Sequence, residues 1–351
     1  MKKIIHLPTS TAGFSSGLSE IERRKNLNSK VFIEDQNKFG YQSDFQLNSK
    51  NFLIKFFLKL FFLLKNRKSF DIYHFNFGKS LFDLFYLGLP MLDLPVYKGR
   101  KVVTFNGSDI RGWTNKIYND EVSKILDKSY SKNPKIKLKR IFFNRKIKQV
   151  EKYADYIFAV NPDLLNFLPR KAIFLPYAIS NWYDINKIDF PNQREFFNIV
   201  HAPTNRGLKG SEYIINAVEN LKKKYKNLNF TLVENVDHSK ALEIYKKADL
   251  FIDQVLIGWY GGVSVEVMKM GIPVAVFIRQ EDLVYLPKEM AIDLNNSVIN
   301  INPFNIESEL EKVINDRKKL KKTAQLGFQY VTKWHDPEYI FKLLSKAYNL
   351  E

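Results

Sequence analysis

Two stretches of this chain combine cations, glycines and one glutamate at spacings suited to holding an anion. In the first, Arg206 and Lys209 flank Gly207 and Gly210 directly after the apolar run Phe197 to Ala202, which reads as a strand. In the second, the apolar run Leu250 to Leu256 leads into Gly258, Gly261 and Gly262. A helical pattern then continues from Val263 through Met270, with Glu266 about one turn inside it. Strand, turn and helix in that order offer unpaired backbone N–H groups and the positive end of a helix dipole to an anion such as a diphosphate. Arg206 and Lys209 would add full charges. Either one alone is a weak signal in a chain with 55 Lys and Arg residues, and the strand–turn–helix context is what lifts them. Glu266 sits among Val265, Val267, Met268 and Met270. A carboxylate in such company needs a hydrogen-bonding partner, and a pair of sugar hydroxyls would serve.

Further candidates lie in the first half. The segment Asn106-Gly107-Ser108-Asp109-Ile110-Arg111 follows the strand-like run Val102 to Phe105, so Asn106 and Asp109 emerge at the carboxyl edge of a sheet, where ligands of open α/β sheets bind. The plainer alternative is a turn capped by Asp109, with a surface pair between Asp109 and Arg111. The loop Thr9 to Gly17 is rich in small residues, and Gly13, Phe14 and Ser15 could let a ligand approach the backbone; it lacks the P-loop pattern. His74 also ends a strand, but a lone His among aromatics reads as structural.

These residues carry a resemblance. The region 201–273, the segment VVTFNGSDIR at 102–111 and the run 154–179 resemble the family 4, glycogen-synthase-like glycosyltransferases of GT-B fold. That resemblance implies an α/β chain of two Rossmann-like β/α/β domains facing a central cleft. It also implies that Arg206 and Lys209 grip the donor diphosphate, that Gly261, Gly262 and Val263 approach it, and that Glu266 holds the ribose. Asn106 and Asp109 become the candidate catalytic pair, and transfer with retention and no obligatory metal is expected. The variant Asp253-Gln254 with Gly258-Trp259-Tyr260-Gly261 resembles a bacterial polysaccharide-type subgroup. Two positions depart from the family pattern: Gly258 stands where a second Glu is usual, eight before Glu266, and Asn106 where His is frequent. A nucleotide-sugar 2-epimerase of the same fold and a non-catalytic nucleotide-sugar binder are the rival readings.

At 351 residues the chain suits two domains, expected at 1–185 and 195–335, with 336–351 as a final helix crossing back to the first. The polar stretch Ser180 to Arg194 reads as the linker. Short apolar runs at Ile4 to Leu7, Val31 to Ile33, Asp71 to Phe75, Tyr156 to Val160, Ala172 to Leu175, Phe230 to Val233 and Val274 to Ile278 alternate with helical segments, which argues for parallel strands buried on both faces. Ile306 to Tyr330 and Pro337 to Asn349 read as helices. Cysteine is absent, which excludes disulfide and thiol chemistry and fits a cytoplasmic protein. The apolar run Ile4 to Leu7 is too short for a signal peptide. No Asp-x-Asp dyad is present to hold a metal on a sugar diphosphate, so no metal or cofactor is expected.

The net charge of +18 invites a nucleic-acid reading, but no helix-turn-helix, zinc-finger or RNP pattern accompanies it and no nucleic-acid partner is expected. Charge concentrates at Lys132 to Lys148, eight cations without an acid. The strongest apolar feature is Phe52 to Leu64, FLIKFFLKLFFLL, whose thirteen residues fall short of the roughly 20 needed to span a bilayer. It reads either as a core helix with snorkelling lysines or as an interfacial anchor on an anionic membrane surface, near a glycan or lipid-linked acceptor.

Overall fold

The computed structural model describes residues 1–34, 40–47, 49, 51–111, 117–131, 135–191 and 194–350; Lys132 of the basic run and positions 192 and 193 of the expected linker lie outside them. In chain order the first half forms β1 (Lys3–Leu7), α1 (Phe14–Arg24), β2 (Asn28–Ile33), β3 (Phe45–Gln46), α2 (Phe52–Asn66), β4 (Ile72–Phe75), β5 (Arg100–Phe105), α3 (Glu121–Ser131), α4 (Ile136–Tyr153), β6 (Tyr156–Ala159) and β7 (Ile173–Phe174). The second half forms β8 (Phe197–His201), α5 (Arg206–Lys209), α6 (Ser211–Lys224), β9 (Leu228–Leu232), α7 (His238–Tyr245), β10 (Leu250–Ile252), α8 (Gly262–Lys269), β11 (Val274–Val276), α9 (Lys288–Ser297), β12 (Ile299–Asn300), α10 (Ile306–Ile314), α11 (Arg317–Trp334) and α12 (Pro337–Tyr348). Two compact units result: 1–112, 133–180 and 337–351 form the first, and 113–132 with 181–336 the second.

The first unit is built on a sheet ordered β3-β2-β1-β4-β5-β6-β7, with its pairs parallel. Alternate residues of each strand point to opposite faces, so one face buries Ile5, Leu7, Tyr73, Phe75, Val103 and Phe105. The other buries Ile4, Ile72, Val102 and Phe158 against Phe14, Leu18 and Ile21 of α1 and Ile340, Leu344 and Tyr348 of α12. Burial on both faces is why these strands read as continuous apolar runs.

The second unit has a parallel sheet ordered β12-β11-β10-β8-β9. Ile199, Leu250, Ile252 and Ala275 pack there against Ile214, Val218 and Leu221 of α6. Val122 and Leu126 of α3 are buried in the same cluster, which places 113–132 with this unit rather than within the 1–185 expected from sequence.

Several expected bounds shift for local reasons. The run Leu250 to Leu256 stops being a strand after Ile252, because Val255 N–H leaves the ladder and donates to the Lys209 carbonyl at 3.0 Å. Ile306 to Tyr330 is two helices, the second opened by Asp316, whose carboxylate accepts the Lys319 N–H at 2.9 Å. Phe14 and Ser15 belong to α1 and not to the loop before it.

Candidate functional site

In the second unit the strand order reverses between β8 and β10, and both strands present their carboxyl ends at that switch point, the usual ligand position in an open α/β sheet. Asn205 caps α5 by accepting the Leu208 N–H at 3.0 Å. Gly210 follows at φ +72°, and a Cβ there would stand 2.5 Å from Val255 Cγ2. Only glycine lets the β8 turn pack so closely on the β10 loop.

Lys209, expected with Arg206 to grip a diphosphate, is buried and gives its ammonium to Asp253 Oδ1. The other oxygen, Oδ2, accepts the Gly261 N–H at 2.6 Å and the Ser264 hydroxyl at 2.7 Å. Burial opposes charge on Asp253, but the Lys209 ammonium and these hydrogen bonds more than offset it and hold the carboxyl below its ordinary range. The Gly261 amide is therefore committed within the protein. Gly262 and Val263 open α8, which has no side-chain cap, so their N–H groups are the ones that helix geometry leaves for a ligand. Lys209 Nζ stands 3.6 Å from where a Cβ on Gly261 would be, and so lies beside that helix start.

Arg206 behaves differently. Its side chain is 54% exposed and binds Glu234 at both ends, Nε to Oε1 at 2.8 Å and Nη2 to Oε2 at 2.5 Å. An exposed pair of this kind is readily exchanged for another anion. Glu266 is buried and its Oε1 lies 2.7 Å from His238 Nε2 at the start of α7. Burial works against charge on His238, and Glu266 more than compensates, so the imidazole pKa is raised above its usual value.

In the first unit Asp109 serves its own turn: Oδ1 accepts the Gly107 N–H at 2.6 Å and Oδ2 the Asn106 N–H at 3.0 Å. Burial raises its pKa, with Lys146 and the two amides offsetting part of that effect. Of the plainer alternative, the cap is present but the pair between Asp109 and Arg111 is not; Arg111 instead makes a buried bidentate bridge to Asp163 at 2.6 and 3.0 Å. Asn106 accepts the Phe77 N–H at 3.0 Å, tying the β4 and β5 loops together. Of the glycine-loop candidates, Gly13 turns the chain at φ +72°, Phe14 is core, and Ser15 donates to the Thr9 carbonyl at 2.6 Å. None of the three presents a side chain for binding.

His74 is hydrogen-bonded at both nitrogens, Nδ1 at 2.7 Å from the Tyr348 hydroxyl and Nε2 at 2.6 Å from Thr104 Oγ1. Tyr348 donates in turn to Glu22 Oε1 at 2.7 Å, and Glu22 Oε2 lies 2.8 Å from His6 Nε2. His6, Glu22 and His74 lie close enough together for a metal ion, but they form a closed, buried network in which each is already partnered.

No family model matches the chain, and no curated protein does. Solved structures do match over nearly the whole length. Sucrose-phosphate synthase from Thermosynechococcus elongatus aligns over 99% of both chains at 13% identity and TM-score 0.64. The glycosyltransferase WaaG, involved in lipopolysaccharide biosynthesis, aligns over 98% of this chain and 99% of its own at 13% identity and TM-score 0.55. A Listeria monocytogenes protein described as a UDP-N-acetylglucosamine 2-epimerase aligns over 98% and 96%, at 16% identity and TM-score 0.56. The chain has the GT-B fold.

Two features of this GT-B chain escaped the sequence reading. Asp253 was visible only as a subgroup marker, although it joins the β8 and β10 turns. His238 lay in a loop with no pattern to couple it to Glu266. A third feature accounts for Gly258, which has φ +90°. A Cβ there would meet Arg279 Cβ at 2.9 Å, so the place of the missing Glu is filled by Arg279. That guanidinium stacks 4.1 Å from the Tyr118 ring centroid and pairs with Asp120 at 2.5 Å.

Proposed function

We propose that the chain is a glycosyltransferase that moves a sugar from a nucleoside-diphosphate sugar to a hydroxyl of a glycan or lipid-linked acceptor. The observation that carries this reading is the convergence of Lys209 and the open amides of Gly262 and Val263 at the β8/β10 switch point. Arg206 leaves Glu234 for the diphosphate, the two amides hold a phosphate oxygen, and Lys209 shares its charge between Asp253 and the ligand. Together they meet the negative charge that grows on the leaving diphosphate as the glycosidic bond breaks. Glu266 takes the ribose hydroxyls in place of His238. Retention, independence of metal and a hexosyl or N-acetylhexosaminyl donor in surface polysaccharide synthesis belong to the same proposal, on the strength of the sequence resemblance. Asn106 and Asp109 contribute by shaping the β5 turn.

A thermal-shift panel of nucleoside-diphosphate sugars, followed by assay of nucleoside diphosphate release, tests the proposal. A ligand at 100 times its dissociation constant stabilises by about 2.7 kcal/mol. Silence across the panel would remove the proposal. Arg206→Ala should reduce turnover about a hundredfold while leaving the melting temperature near wild type, since its partner contact is exposed. Epimerisation is the second reading, favoured by the likeness to the Listeria protein. It predicts a 2-epimerised product with no acceptor present.

The pair of His238 and Glu266 adds a pH signature. A His whose folded pKa is raised stabilises the unliganded state below its unfolded pKa, and that contribution disappears as pH rises through the folded pKa. If ribose displaces His238 from Glu266, binding releases a proton and nucleotide affinity climbs as pH rises through that range. His238→Asn should flatten the climb, as read by calorimetry in buffers of different ionisation enthalpy. An identical pH slope in the variant would exclude this exchange.

A further inference from the structure

The helix α2 is not a core helix: of its fifteen residues only Leu63 is buried. Phe52, Leu53, Phe57 and Phe61 are 76%, 64%, 63% and 65% exposed, and Ile54, Phe56, Leu58 and Leu64 are exposed with them. At 100° per residue the arc from Phe56 to Leu58 covers about 200° of the helix circumference. A helix seated in a protein groove typically presents a narrower stripe, on the order of 100°. An arc twice as wide suits a medium that closes around the helix.

The apolar surface continues beyond α2 within the same unit. Phe56 packs on Phe82 at 5.5 Å, and Lys59 donates to the Leu81 carbonyl at 3.0 Å. The turn that follows exposes Tyr86 and Leu87 at 72% and 66%. Phe85 of that turn meets Phe142 of α4 at 5.2 Å, and Arg145 donates to the Gly88 carbonyl at 3.0 Å. Along α4, Lys137, Arg140, Ile141, Asn144, Arg145 and Lys148 are exposed at helical spacing, which makes one cationic stripe, and no acid occurs between Lys135 and Val150. Lys65 and Lys68 extend the positive charge at the far end of α2.

We infer that α2, the 81–89 turn and the outer face of α4 form one docking surface for an anionic lipid bilayer. The aromatic and aliphatic side chains enter the boundary between headgroups and acyl chains, and the α4 stripe pairs with anionic headgroups. The helix does not span: fifteen residues reach about 22 Å against a core of about 30 Å, and among the described residues no helix is long and apolar enough to cross. This inference stands apart from the nucleotide-sugar proposal, and either can fail without the other.

The test is co-sedimentation of the full chain with phosphatidylcholine vesicles, with and without phosphatidylglycerol. Two surface variants accompany it, Phe57→Ser with Phe61→Ser and Lys137→Glu with Arg140→Glu, each required to keep the wild-type melting temperature. Wild type should partition at least about tenfold more strongly onto the anionic vesicles, and each double variant should lose about tenfold. Added salt should release only the electrostatic part. Equal failure to bind both vesicle types would overturn the inference. So would full binding by the aromatic variant, which would mean simple adsorption of a chain of net charge +18. A wild-type dimer that the aromatic variant dissociates, together with no vesicle binding, would assign the surface to a second copy instead.

Discussion

Lys209→Met should destabilise the protein by about 3 kcal/mol, although it keeps most of the side-chain volume. The loss comes from Asp253, which is fully buried and would keep only the Gly261 N–H and the Ser264 hydroxyl once the ammonium is gone. A buried carboxylate stripped of its counter-charge is far more harmful than the absence of the pair. Adding Asp253→Asn to Lys209→Met should therefore recover more than half of the loss in urea unfolding. The pH dependence follows from the same groups. In the wild type the depressed Asp253 pKa contributes stability above the unfolded carboxylate value, and that contribution is lost as pH falls through the folded one. In Lys209→Met the carboxyl titrates upward, so the gap between variant and wild type should be widest near neutrality and narrow towards acid pH. A single variant within about 0.5 kcal/mol of wild type, or a double variant no better than the single, would show that the two turns are not joined through this pair.

Asp109→Asn should lower stability by about 2 kcal/mol while turnover per folded molecule stays near wild type. Each carboxylate oxygen accepts one backbone N–H, from Asn106 and from Gly107. An amide can accept only one of them and points its own NH2 at the other, which leaves a buried donor unsatisfied. Asp109→Ala should then be about as harmful as Asp109→Asn. The readouts are urea unfolding and turnover normalised to folded protein. A hundredfold fall in normalised turnover with unchanged stability would instead place Asp109 at the reacting atoms.

The strands were legible because parallel strands buried on both faces leave continuous apolar runs, as Ile4 to Leu7 and Val102 to Phe105 do. The turn holding Arg206 and Lys209 was legible for a similar reason, since glycines and cations between a strand and a helix form a local pattern. What escaped was non-local. Lys209 and Asp253 are 44 positions apart, and His238 and Glu266 are 28 apart. Nothing in either segment alone shows that two strand ends will be brought side by side. Asp109 carried both meanings in the sequence, because a carboxylate four residues after a strand can cap a turn or face a ligand. Only the direction of the Asn106 and Gly107 amides separates the two. For α2 the composition was never in doubt, but an apolar helix looks the same in sequence whether it faces a core or a bilayer.

The closed network of Glu22, His74 and Tyr348 bears on the order in which the two units are finished during synthesis. Residues 1–112 and 133–180 leave the ribosome first, yet their buried His74 and Glu22 have no tyrosine hydroxyl until α12 has been made. The whole of 181–336 is translated in between, and the segment 113–132 that it needs is already available by then. The unit begun second is thus the one that can close first. Until Ile340 and Leu344 arrive, α1 alone covers that face of the first sheet, and the cluster of Ile72, Val102 and Phe158 stays incomplete for the time it takes to translate about 160 residues, on the order of ten seconds or more.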